Sequence, residues 1–123
     1  MEIIHLNQFQ DTNMKQYVID QLRESDYQKI LEFLQKNAEA SEFGDIFWIM
    51  LPEELYSDTQ MEHQQCKPFC FAVNLSVKQV DFEMLIRSRR IMRCNCIRYA
   101  DRKQRDYIID YADRMLEDLN IKI

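Results

Sequence analysis

From Phe69 to Val77 the chain alternates: Phe69, Phe71, Val73, Leu75 and Val77 on one side, Cys70, Ala72, Asn74 and Ser76 on the other. A period of two with one apolar side predicts a half-buried strand. A two-residue turn at Lys78-Gln79 would set Val77 opposite Val80, Leu75 opposite Phe82, Val73 opposite Met84 and Phe71 opposite Ile86. Every partner then shares the apolar face, which is the condition that selects a register. A three-residue turn at Ser88-Arg89-Arg90 extends the meander, with Ile86 opposite Met92, Met84 opposite Cys94 and Phe82 opposite Cys96. Arg93, Asn95 and Ile97 would then face the other way.

The remaining elements follow from other periods. Residues 2–9 fit either a short strand or a helical arm. Met14, Val18 and Leu22, four apart, predict a helix capped by Asp11, Thr12 or Asn13. Ser25 with Gln28 forms a capping-box signature, and Tyr27, Ile30, Leu31, Leu34 and Ala38 mark a second helical stripe ending before Gly44. The six apolar residues Ile46–Leu51 predict a strand covered on both faces. Pro52, Glu53 and Glu54 suit the start of a short helix. Residues 57–67 are polar and aperiodic and predict a long loop. Asp101 with Gln104 forms another box, opening a last helix whose stripe is Ile108, Tyr111, Ala112, Met115 and Leu119. The expected fold is α+β in two layers. An antiparallel sheet of about four strands, with a meander over 68–99, carries N-terminal helical segments and a C-terminal helix, in one domain over residues 1–123.

Composition narrows the chemistry. The chain has 123 residues, 46% of them hydrophobic and 30% charged, with one Gly and two Pro. A lone glycine excludes a P-loop or a dinucleotide fingerprint. No charged-then-apolar leader and no membrane-length apolar run stands out, so a cytoplasmic protein with reduced thiols is expected. His5 and His63 are the only histidines, and no nucleophile, base and oxyanion donor fall together, so no catalytic role and no cofactor are expected.

Charge singles out one stretch. The net charge is −5, yet Arg87–Arg105 holds eight basic residues against the single acid Asp101. That local +7 leaves −12 for the rest. Arg89, Arg90, Arg93, Arg98, Arg102 and Lys103 are the candidate ligand-binding residues, and cations at a helix start suggest an anion nearby. The expectation is a small non-catalytic binding module for an anionic small ligand or an acidic protein, with nucleic acid disfavoured by the acidic remainder. Part of the charge can also pair within the surface, as at Asp110–Arg114. A second reading is a homo-oligomeric assembly or adaptor protein, since Leu85, Ile91, Ile97 and half of Ile46–Leu51 lie on the other sheet face.

His63, Cys66, Cys70, Cys94 and Cys96 are zinc-ligand types at H-x2-C, C-x3-C and C-x-C spacing, which makes a zinc protein the third reading. The meander register argues against it. It turns Cys94 and Cys96 inward and Cys70 to the opposite face, so no metal ligand is expected among them.

Overall fold

The structure, a computed structural model, describes residues 14–122. The alternatives for residues 2–9, the caps at 11–13 and His5 lie outside the described residues. Among the described residues, a sheet of seven short strands carries its helices on one face, an α+β architecture. The strands are β1 (Gln16–Ile19), β2 (Glu39–Ala40), β3 (Ile46–Met50), β4 (Phe69–Leu75), β5 (Val80–Glu83), β6 (Leu85–Ser88) and β7 (Arg98–Tyr99). The helices are α1 (Glu24–Asn37), α2 (Asp58–Glu62) and α3 (Arg102–Asp118), with single 3₁₀ turns at Glu53–Leu55 and Gln64–Cys66. All pairings are antiparallel, in the order β1-β5-β4-β3-β2, with β6 also on β4 and β7 on β6. No helix among the described residues is long and apolar enough to cross a membrane.

The core lies between sheet and helices. Phe69, Phe71, Val73 and Leu75 on β4, Phe47 and Ile49 on β3, and Val80 and Phe82 on β5 meet Ile30 and Leu34 of α1 and Ile108, Ala112 and Met115 of α3. Phe71 sits edge-on to Tyr107 and Tyr111 of α3, and Tyr111 meets Phe33 of α1. The alternation of β4 and the stripe of α3 therefore face each other as their periods require.

Several expected details differ. The helix through Met14, Val18 and Leu22 is instead the edge strand β1, paired with β5. Residues four apart share a face in a strand as well as in a helix, so that spacing alone did not discriminate. Val18 is exposed while Tyr17, directed to the helix layer, donates its hydroxyl to Asp113 Oδ1 at 2.8 Å. Gln21, at φ 56°, then turns the chain towards α1.

The box at the start of α1 is formed two residues earlier than Ser25–Gln28. The carboxylate of Asp26 accepts from the Arg23 backbone N–H and from Arg23 Nε, both at 3.1 Å. These contacts hold the buried Asp26 carboxyl below the usual carboxylate range. A depressed acid adds stability that is present above the unfolded value near pH ~4 and lost as pH falls through the folded one. Urea midpoints followed from neutral to strongly acidic pH should therefore fall less steeply on the acid side for Asp26→Asn than for the parent. Parallel curves would assign acid sensitivity elsewhere.

Strand β3 is covered on one face only: Phe47 and Ile49 are buried, Ile46 and Trp48 half-buried and Met50 exposed. The segment 57–67 is not a loop but α2 followed by a 3₁₀ turn, opened by Ser57 and Gln60 in a reciprocal box.

The β4–β5 turn has four residues, Ser76–Gln79, so Leu75 pairs with Val80 and Val73 with Phe82. Val77 is left 57% exposed. Beyond Met84 the expected register returns, with Cys70 opposite Arg87 and Phe69 opposite Ser88. Between the two pairings the β5–β6 side carries two extra residues, a bulge at which Met84 N–H turns to Lys15 O and Met84 O accepts from Ala100 N–H. A slip of two leaves every side chain on its face, which is why alternation did not reveal it.

The third strand of the meander is overturned. Residues 89–97 form a loop, Met92 is 94% exposed, and only Arg98 and Tyr99 pair with β6.

Candidate binding groove and thiol cluster

The basic stretch separates into distinct places. Arg87 and Arg89 lie on the sheet face away from the helices. Arg87 Nε donates to Glu83 Oε1 at 2.9 Å; Arg89 binds the Glu39 carboxylate through Nη2 at 2.9 Å and Nε at 3.3 Å. The Arg89 guanidinium also lies over the Trp48 ring, 5.2 Å from its centroid. A guanidinium held by a carboxylate and stacked on an indole is a fixed wall rather than a free cation. Its backbone is fixed too, because Arg89 N–H donates to Pro68 O at 2.9 Å.

Next to this wall is a groove of about 260 Å³ lined by Trp48, Cys70, residues 87–92 and Ile97. The Ser88 hydroxyl shapes its floor by accepting from the N–H groups of Arg90 and Ile91 at 3.1 and 3.0 Å. Arg90 is exposed at the edge, beside Ile91 and the exposed Met92.

The other candidates stand elsewhere. Arg93 is exposed on the 89–97 loop, and Arg98 donates from Nε to Asn95 O at 3.0 Å. Arg102 and Lys103 line a different hollow together with Glu54, Asp58 and Asp101. At that helix start the Asp101 carboxylate already accepts from Gln104 N–H at 2.9 Å. Acids accompany those two cations and one helix-start amide is occupied, which removes the electrostatic oddity seen in the sequence. The expected Asp110–Arg114 pair on α3 forms at 3.0 Å.

The cysteines fall into two sites. Cys70 is fully buried on the far side of the sheet, beside the groove, and burial pushes its thiol up to about 12. Cys94 and Cys96 meet His63, with Cys66 beside the two thiols. Since Cys94 and Cys96 belong to a loop rather than a strand, the facing argument against their convergence no longer applies. The ligand atoms of His63, Cys94 and Cys96 lie within 4.8 Å of one another. The Cys66 thiol interacts with those of both Cys94 and Cys96. The backbone N–H of Cys96, chiefly, draws the Cys94 thiol down to about 7, whereas burial drives Cys96 up to about 12 and raises Cys66.

Two buried glutamines tie this cluster to the rest of the domain. Gln60 Nε2 donates to Cys96 O at 3.2 Å, and Gln60 Oε1 accepts from Ser57 N–H and from Gln104 Nε2, each at 2.9 Å. Gln104 Nε2 also donates to Leu55 O at 2.9 Å, while its Oε1 accepts from Asp101 N–H at 3.1 Å. Two capping boxes are thus joined through their glutamines. The Ser57–Gln60 spacing is the same signature as Asp101–Gln104, so the first box was readable from the sequence although its link to Cys96 was not.

Compared with known proteins, the chain matches no family model, no curated protein and no solved structure.

Proposed function

We propose that the chain is a small non-catalytic binding module whose working surface is the groove beside Arg89. One observation carries the reading: a concavity coincides with part of the basic stretch and combines arginines with Ile91, Met92 and Ile97. Glu83 and Glu39 already offset Arg87 and Arg89, so the uncompensated charge at the groove is small and centred on Arg90. A polyanion gains little from such a site, and the net charge of −5 opposes it. The chemistry suits an acidic protein segment that places a carboxylate on Arg90 and an apolar side chain against Ile91 and Met92.

A fluorescently labelled peptide with two glutamates beside a leucine tests this by anisotropy. Arg90→Glu should weaken binding about tenfold or more, through charge reversal at the contact. Arg114→Glu makes the same formal charge change on the exposed flank of α3 and should leave affinity nearly unchanged. Equal losses for both variants, or no saturable binding by the parent, would remove the groove from the account.

A further inference from the structure

We propose that His63, Cys66, Cys94 and Cys96 form a closed tetrahedral site for one zinc ion, with three sulfur ligands and one nitrogen. Zinc takes ligands at about 2.3 Å for sulfur and 2.0–2.1 Å for nitrogen, which places tetrahedral ligand atoms roughly 3.5–3.8 Å apart. The atoms of His63, Cys94 and Cys96 are already within 4.8 Å of one another, and Cys66 reaches two of them. His63, Cys94 and Cys96 need only a small contraction to become three corners of a coordination sphere, and Cys66, beside the two thiols, would close on His63 to complete it.

The surroundings match what a metal site needs as well. His63 Nδ1 lies 2.8 Å from Thr59 O. A carbonyl oxygen can only accept, so Nδ1 carries the proton and the lone pair is on Nε2, available to a metal. Orientation of a ligand imidazole by a backbone carbonyl is the usual outer-shell arrangement. The Cys96 N–H donates to the Cys94 sulfur, and Ile97 N–H closes the turn on Cys94 O at 3.0 Å. Each ligand segment is held independently: Cys96 O by Gln60, and Cys66 O by the Ser88 hydroxyl.

Core cysteines used only for packing have no need of an imidazole directed at them, nor of three thiols brought together from two distant segments. Sulfur-rich tetrahedral sets favour zinc, whereas calcium and magnesium require oxygen. With four protein ligands no position remains for water or substrate, so the ion would be structural. Loading would displace the thiol protons that remain and leave the centre with a net charge of −1. The half-buried His63 and Cys94 provide the entry side. The ion would join the segment after α2 to the 89–97 loop, which also borders the groove, but the metal assignment does not depend on what the groove binds.

The test uses untagged full-length protein expressed with added zinc and dialysed into metal-free buffer. Elemental analysis should find about one zinc per chain in the parent and in Cys70→Ser, since Cys70 is on the other side of the sheet, and far less in Cys94→Ser and Cys96→Ser. Because the buried Cys96 variant could fail to fold, cobalt replacement in the parent gives a second readout: intense visible bands with sulfur-to-cobalt charge transfer indicate a tetrahedral thiolate site. Cys66→Ser should lower the charge-transfer intensity by about one third if it supplies one of three thiolates. His63→Gln, at a half-buried position, should weaken zinc binding by about 100-fold or more, beyond the 10–100-fold typical of outer-shell losses. A parent without stoichiometric zinc whose cobalt spectrum stays weak would overturn the proposal. So would loss of zinc from Cys70→Ser as complete as from Cys94→Ser.

Discussion

Urea unfolding of Gln104→Leu should show a loss of about 3 kcal/mol, because one buried and two part-buried polar groups lose a partner and each costs about 1–3 kcal/mol unless water reaches it. Leu55 O and the Asp101 N–H lose their side-chain partner, and Gln60 Oε1 keeps only Ser57. Leucine is similar in size to glutamine, so lost volume contributes little. The neighbouring Asp101→Ala removes only the helix cap and should cost about 1 kcal/mol. If Gln104→Leu were no worse than Asp101→Ala, the joined boxes would be two independent caps rather than one buried network.

Phe71→Ala should be at least as damaging, at about 4 kcal/mol, the range for truncating a fully buried phenylalanine. Phe71 has no exposed surface and its ring faces Tyr107 and Tyr111 at centroid distances of 6.5 and 6.1 Å. Edge-to-face pairs add to the burial term. Two tyrosines on a 17-residue helix cannot both collapse into the space, so most of the cavity should persist. Near-ultraviolet circular dichroism should lose tyrosine signal together with stability. A loss below about 1.5 kcal/mol would mean that α3 shifts to fill the gap and is not fixed on the sheet as described.

The parts of the fold legible in the sequence were those with two agreeing signals. For α3, a capping box and a long apolar stripe coincide; for β4, strict alternation extends over a full strand. The parts misread had one signal that two structures satisfy. Met14, Val18 and Leu22 recur every four residues, twice the strand period and close to one helical turn, and only pairing with β5 decides for a strand. The hairpin register slips by two because face assignment has no memory of an even shift. Extending the meander through Met92, Cys94 and Cys96 assumed that alternation implies a strand. That segment instead follows turns set by Ser88 and by the Cys94–Ile97 hydrogen bond.

The candidate sites were partly legible for related reasons. Residue types pointed to the arginines and the thiols, but the strand facing used to separate Cys70 from Cys94 and Cys96 does not exist, because those two lie in a loop. Separation of Arg102 and Lys103 from Arg89 and Arg90 depends on tertiary packing, to which charge along the chain is blind. Convergence of His63 with the C-x-C pair required α2, in a polar, aperiodic segment whose Ser57–Gln60 box was its one helical signal.

Trp48, the only tryptophan in the chain, lines the groove under Arg89, so its emission reports directly on what enters there. Titrating the unlabelled parent protein with the glutamate–leucine peptide, and with a counterpart carrying lysines in place of the glutamates, is the most direct measurement. The account predicts a saturable change in Trp48 emission with the acidic peptide and none with the basic one. Saturable binding detected by calorimetry while Trp48 emission stays unchanged would place the partner elsewhere on the domain and contradict the groove as its working surface.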